Sequence, residues 1–316
     1  MPALNAIIPG WFLPLLCVLL SACGKPSAES GKPRVALVMK SLANEFFRDM
    51  ERGALAHQAA HANAYELLTC GIKNETDLAE QVALVEQMLA RGVQALVIAP
   101  ADSKALIPVL KQARQAGVAV VNIDNALDSG ALSEAALSIP FVGPDNKAAA
   151  MRVAQALCAK LKTGDEVAII EGVPTAFNSQ QRVEGFRQAF AQTAMKLVSS
   201  QSGQWEMEKA NAVAASLLAA HPHLRAIACA NDSMALGAAA AIEAAGRRGE
   251  VLLVGFDFIP AVPPLLKDGR LLATADHHAS ELASFGIDAA LELLAGKSLP
   301  ERRSTPVGLI LHEPKP

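Results

Sequence analysis

Aromatic side chains are scarce in this chain of 316 residues: ten Phe, two Trp and one Tyr make 4% of it. Because 52% of the residues are nonetheless hydrophobic, the core must be aliphatic, and any aromatic beside a polar strand end becomes informative. Strong charge is lacking as well. A formal net charge of −3 gives no footprint for nucleic acid, and no run of like charges marks a membrane-surface patch or an acidic tail. The five cysteines do not make a disulfide framework. Cys17 and Cys23 fall at the N-terminal end, while Cys70, Cys158 and Cys229 lie in segments that read as two strands and a helix, so buried free thiols are expected. Enzyme signatures are missing too. There is no Gly-x-x-x-x-Gly-Lys-[Ser/Thr] phosphate loop, no Gly-x-Ser-x-Gly elbow and no His-Glu-x-x-His pair. Neither an enzyme nor a cofactor is expected.

The chain has one long apolar run, Ile7 to Ala22. It is short for a membrane span and broken by Pro9, Gly10 and Pro14. No Lys or Arg precedes Cys23, so only the amino terminus supplies a basic end. The run closes on Leu20-Ser21-Ala22-Cys23, a secretory signal with a cysteine where cleavage falls. This junction resembles the bacterial lipobox, which implies residues 1–22 as signal peptide and Cys23 as a lipidated mature N-terminus. Several acyl chains, at roughly 0.8 kcal/mol per buried methylene, anchor durably. The implied location is the periplasm or cell envelope. Residues 23–33, polar and bearing Pro, Gly and Ser, read as a tether.

Beyond the tether, short apolar runs alternate with helical patterns. Val35–Met39, Tyr65–Cys70, Ala95–Ala99 and Val118–Asp124 read as strands, separated by helices over Asn44–Ala62, Thr76–Ala90 and Lys104–Ala116. Ser138–Val142 reads as a crossing segment. The rhythm then repeats, with strands at Glu166–Glu171, Lys196–Ser200, Ala226–Ala230, Val251–Phe256 and Leu271–Asp276 among helices. Strands alternating with helices demand parallel sheets covered on both faces. Two rounds predict an α/β fold of two doubly wound parallel-sheet lobes. Ligands of such sheets sit beyond the carboxyl ends of the strands, so two facing lobes make a cleft there.

Strand-end positions supply one kind of chemistry. They hold Asn44, Phe46 and Phe47; Asp124 and Asn125; Trp205; Asn231; Asp257; and His277. Carboxylates accept from hydroxyls, amides both donate and accept, and aromatic faces suit the C–H face of a sugar ring. Simpler roles compete. Phe46 or Phe47 could be ordinary core, and Asp124, Asp257 and Asn231-Asp232 could cap the turns and helices that follow. His57 and His61 share a helical face without a third ligand nearby, so no metal site is expected.

At these residues the chain resembles the ribose-type periplasmic sugar-binding proteins. Asn44-Glu-Phe46-Phe47 before Gly53-Ala54, Ile98-Ala-Pro100-Ala-Asp102-Ser103, Val121-Asn-Ile-Asp124, Arg182-Val-Glu184-Gly185-Phe186, Asn231-Asp232-Ser-Met-Ala-Leu-Gly237 and Val254-Gly255-Phe256-Asp257 occur in order from about Pro33 to the C-terminus. The resemblance implies Asn44, Phe46, Phe47, Asp124, Trp205, Asn231 and Asp257 as ligand contacts, with Phe46 and Trp205 sandwiching a ring. Four positions depart: Asn125 and Gln180 stand where arginines are common, Ala99 replaces an asparagine, and His277 replaces a glutamine. Losing two guanidinium forks predicts a neutral sugar or polyol other than ribose. The implied lobes are 34–142 with 278–305 and 143–277 with 306–316, joined by a three-segment hinge. The implied partners are the sugar or polyol and an ABC transporter permease in the inner membrane. No nucleic acid is involved, and the membrane is touched only through the lipid. A sensory module for a chemoreceptor or histidine kinase is the alternative.

Overall fold

The computed structural model describes Pro2 and residues 31–313. The segment expected to be a signal peptide, apart from Pro2, together with Cys23 and most of the expected tether, lies outside the described residues. In chain order the elements are β1 (Arg34–Met39), α1 (Glu45–Ala60), β2 (Glu66–Gly71), α2 (Leu78–Ala90), β3 (Ala95–Ile98), α3 (Ile107–Gln115), β4 (Ala119–Ile123), α4 (Ser129–Glu134) and β5 (Phe141–Gly143). They continue with α5 (Asn146–Cys158), β6 (Glu166–Glu171), α6 (Phe177–Gln192), β7 (Lys196–Ser202), α7 (Met207–Ala220), β8 (Leu224–Cys229), α8 (Asp232–Ala244) and β9 (Leu252–Val254). Last come α9 (Pro263–Lys267), β10 (Ala273–Asp276), α10 (Ala279–Leu294), β11 (Arg302–Ser304) and β12 (Gly308–Leu311).

The strands build two six-stranded sheets, ordered β11-β5-β4-β3-β1-β2 and β12-β10-β9-β8-β6-β7. Pairings are parallel except β10 with β12. Parallel neighbours require helical crossovers, which is why the central strands are apolar throughout: Val35 to Met39 and Ala95 to Ile98 are fully buried. Each buried Val, Leu, Ile or Met side chain contributes about 1.5–3 kcal/mol. α5 follows a first-sheet strand but packs on α6, β9 and β10; α10 follows a second-sheet strand but packs on α1, β3 and β4. The chain therefore passes between two doubly wound lobes three times, after Gly143, after Asp276 and after Ser304.

Local chemistry explains the helix starts. The Asn44 side-chain Oδ1 accepts from the Phe46 N–H to cap α1, and Phe46, Phe47, Met50 and Ala54 form its buried face. α1 meets α10 so closely that a Cβ on Gly53 would lie 2.4 Å from the Ser280 backbone. Two sequence expectations shift. α3 starts at Ile107 instead of Lys104, because the Asp102 carboxylate holds the Lys104 and Ala105 N–H groups in a turn. The segment read as a crossing is strand β5, paired with β4 and β11.

Candidate functional site

The carboxyl ends of the two sheets face each other, and the loops after β1, β4, β8 and β9 converge on a narrow buried cavity. Backbone strain marks this place. Asp124, Trp205 and Asp257 have φ of 61°, 67° and 119°, conformations that cost a side-chain-bearing residue about 1–3 kcal/mol each. Their side chains all line the cavity. A Cβ on Gly172 would lie 2.1 Å from the Trp205 ring, so only glycine leaves room for the indole.

The second lobe contributes the more elaborate half. The Arg182 side chain donates from Nε to Asn146 Oδ1 at 2.8 Å and from Nη1 to the Ala230 carbonyl at 2.8 Å and Asp257 Oδ1 at 3.1 Å. Its guanidinium carbon lies 3.7 Å from the centre of the Phe256 ring. His277 Nε2 is 3.0 Å from the same Asp257 oxygen, and Phe46 stacks on the imidazole at 4.4 Å. Behind Asp257, Asp232 accepts from Thr274 Oγ1 and from the Ile259 N–H. Burial, reinforced by Asp257, pushes the Asp232 carboxyl well above the usual range. Of the pair offered as a cap for the following helix, Asn231 makes it, its Oδ1 accepting from the Met234 N–H.

The first lobe contributes Lys40, Asp124 and Glu75. Lys40 Nζ lies 3.1 Å from Asp124 Oδ2, 5.2 Å from the centre of the Phe47 ring and 5.6 Å from that of Trp205. Asn44 donates from Nδ2 to Glu75 Oε1 at 3.1 Å. Burial pushes the Glu75 carboxyl up to about 7, against the pull of Lys40 and the Asn44 hydrogen bond. When Glu75 holds its proton, two cations face two carboxylates, and the cleft carries no net charge.

The buried polar atoms left over carry the chemistry. Six buried side-chain atoms lack a hydrogen-bond partner among the described residues, and five belong here: Glu75 Oε2, Asp124 Oδ2, Asn178 Oδ1, Trp205 Nε1 and His277 Nδ1. Asp124 Oδ2 has the nearby Lys40 charge but no hydrogen-bond alignment with it. Leaving such groups unmade costs about 1–3 kcal/mol each. Four of the five, on Glu75, Asp124, Asn178 and Trp205, belong to residues that line the cavity, so donors and acceptors of both kinds converge on a ligand position.

Most residues singled out from the sequence meet here: Asn44, Phe46, Phe47, Asp124, Trp205, Asn231 and Asp257 line the cavity, and His277 supports Asp257 from behind. Around the expected sandwich, Phe46 stacks on His277, while Phe47 and Trp205 flank the Lys40 ammonium. Two assignments are corrected. Gln180 is exposed and donates to the Pro174 carbonyl; the guanidinium enters from Arg182, two residues on. Asn125 is fully buried but lies outside the cavity lining, its amide bonded to the Pro100 carbonyl and the Asn178 N–H. Lys40, Glu75, Asn178 and Arg182 were missed. Lys40 directly follows the apolar run of β1, and Glu75 lies in the loop after β2, so the strand-end rule reaches both. His57, on α1, bonds the Tyr65 hydroxyl and Asp288.

Two doubly wound lobes hinged by three segments, closing over a buried polar cleft, define a solute-binding protein of the periplasmic type. The chain belongs to the periplasmic binding protein family, whose domain model matches residues 35–298, a family of solute-binding proteins and not of enzymes. It is 54% identical to a D-ribose/D-allose-binding protein of Pseudomonas aeruginosa, over 94% of this chain and 96% of that one. An ABC transporter solute-binding protein of Burkholderia multivorans superposes with a TM-score of 0.86 at 53% identity, covering 89% of this chain and 100% of the other. Another from Actinobacillus succinogenes, with bound D-allose, gives 0.85 at 34% identity over 89% and 98%.

Proposed function

We propose that this protein captures a neutral aldose, D-allose or D-ribose first among them, and delivers it to an ABC permease in the inner membrane. The observation that carries this reading is the set of unpartnered donors and acceptors between aromatic faces in a cleft whose cations and carboxylates balance when Glu75 holds its proton. Hydroxyls satisfy both kinds of group, whereas a charged ligand would leave one sign buried in excess. The names of the relatives agree with an aldose. The expectation against ribose weakens, because one of the two guanidinium forks thought lost is Arg182.

The inner cavity measures about 10 Å³, room for one water at most. A wider mouth of about 390 Å³ opens beside it, sharing Asn44, Glu75 and Trp205. A sugar therefore enters when the lobes part, and the differential affinity for the closed form drives closure. Titration calorimetry with D-allose, D-ribose, other aldoses and an aldose phosphate tests the reading. Binding to one or more neutral aldoses and none to the phosphate is expected; a protein that ignores every aldose would overturn it. The proposed lipid anchor is tested separately, since Cys23→Ala should abolish palmitate labelling and leave uncleaved precursor.

A further inference from the structure

Helix α6 begins without a cap from its own lobe. Its N-cap residue is Ala176, which offers no side-chain acceptor, and the first N–H groups of a helix have no partner within it. By contrast α1, α2, α4, α5 and α8 are capped by Asn44, Asp77, Asp128, Asp145 and Asn231, each from the residue next to its own helix. The acceptors for α6 come from across the cleft. First-lobe Ser103 Oγ accepts from the Phe177 N–H at 2.9 Å, and first-lobe Asn125 Oδ1 accepts from the Asn178 N–H at 3.0 Å. The Ser103 N–H also donates to the Thr175 carbonyl at 3.4 Å.

Ser103 and Asn125 are 5% and 0% exposed, so these bonds are shielded from water. Asn125 is fixed in its own lobe by its bond to the Pro100 carbonyl. The first two turns of α6 carry Asn178 and Arg182, both facing the cavity.

We propose that Ser103 and Asn125 are positioning residues for sugar capture: they form an interlobe helix cap that exists only in the closed state and seats Asn178 and Arg182 without touching the ligand. When the lobes part, both N–H groups and both acceptors return to water. Closing restores the cap, so part of the closed-state stability comes from residues outside the cavity. Sugar affinity then depends on them through the open–closed equilibrium. The proposal rests on the sugar-binding reading above.

Calorimetry and stopped-flow kinetics with D-allose and D-ribose test it on Ser103→Ala, Asn125→Ala and Ser103→Thr. Each alanine variant should weaken both sugars by the same factor, about fivefold, the worth of one helix cap. The loss should appear as faster release, with the melting temperature of the sugar-free protein unchanged in Ser103→Ala and lowered in Asn125→Ala only by the lost bond to the Pro100 carbonyl. Ser103→Thr, which keeps the hydroxyl, should restore affinity. Hydrogen exchange at the Phe177 and Asn178 amides reads the cap directly, and both alanine variants should speed it. Unchanged affinity would overturn the proposal, as would losses that differ between the two sugars or match an equal loss of sugar-free stability. If the wild type bound neither sugar, the functional reading would fail and the cap's role in sugar capture with it; where sugar binds, unaltered exchange at Phe177 and Asn178 in both sugar-bound alanine variants would overturn the cap alone.

Discussion

The two halves of the cleft are built to different standards. In the second lobe, Arg182 and His277 converge on one Asp257 oxygen, and Asn146, the Ala230 carbonyl and the Phe256 ring fix the guanidinium from three further directions. In the first lobe, Asp124 meets only the Lys40 charge, and Glu75 Oε2 and Asp124 Oδ2 have no hydrogen-bond partner among the described residues. Preorganised groups hold their geometry through opening and closing; undersatisfied ones gain most when a ligand arrives. Asn178, Trp205 and His277 of the second lobe keep unpartnered atoms as well, so the contrast lies in the two carboxylates: Asp257 is the template and Asp124 the respondent.

Removing Asp257 should give the largest effect. Asp257→Ala leaves Arg182 buried without its carboxylate, and breaking such a pair costs about 3–5 kcal/mol. Chemical denaturation of the sugar-free protein should register that loss, and calorimetry should find aldose affinity down by at least about a hundredfold. A variant as stable as the wild type would erase the template half of the comparison.

Glu75 tests the electrostatics of the respondent half. Its carboxyl is raised from 4.5 to about 7 in the folded protein. The protonated form is therefore the stabilising one: that contribution is complete below the unfolded value and is lost as pH rises through the folded one. Wild type and Glu75→Gln should melt alike near pH 4.5. By pH 7 the variant should be ahead by up to about 3 kcal/mol. Parallel stability profiles across that window would show that Glu75 is not held protonated.

Asp124→Asn should give the smallest effect and the sharpest contrast. Aldose affinity should fall about tenfold, or roughly 1.4 kcal/mol. The sugar-free protein should lose some stability because Lys40 is left buried without its carboxylate, though less than in Asp257→Ala, where Arg182 also loses a hydrogen bond. Equal destabilisation of the two variants would make the halves equivalent.

Much of this architecture could be read from the chain. The alternation of apolar runs and helical patterns implied two doubly wound lobes, and the strand-end rule found Asp124, Asn231 and Asp257. The very short strands β11 and β12 were not legible, because three or four residues at a sheet edge carry no periodic signal. Lys40 was passed over because a charge directly after a buried strand reads as the start of a solvated loop, whereas here it is 3% exposed.

The sequence by itself determined which loops face the cleft, since strand direction and alternation are local properties of pattern. Only the tertiary structure decided which side chains reach it. Gln180 and Arg182 are two residues apart on α6, and at 3.6 residues per turn that separation rotates a side chain by about 200°, from solvent to cavity. Asn125 likewise adjoins Asp124 in the chain, yet one lines the cavity and the other caps a helix of the opposite lobe. Both outcomes depend on packing between segments distant in sequence, which fixes the face a helix buries and the partner that lies across the cleft.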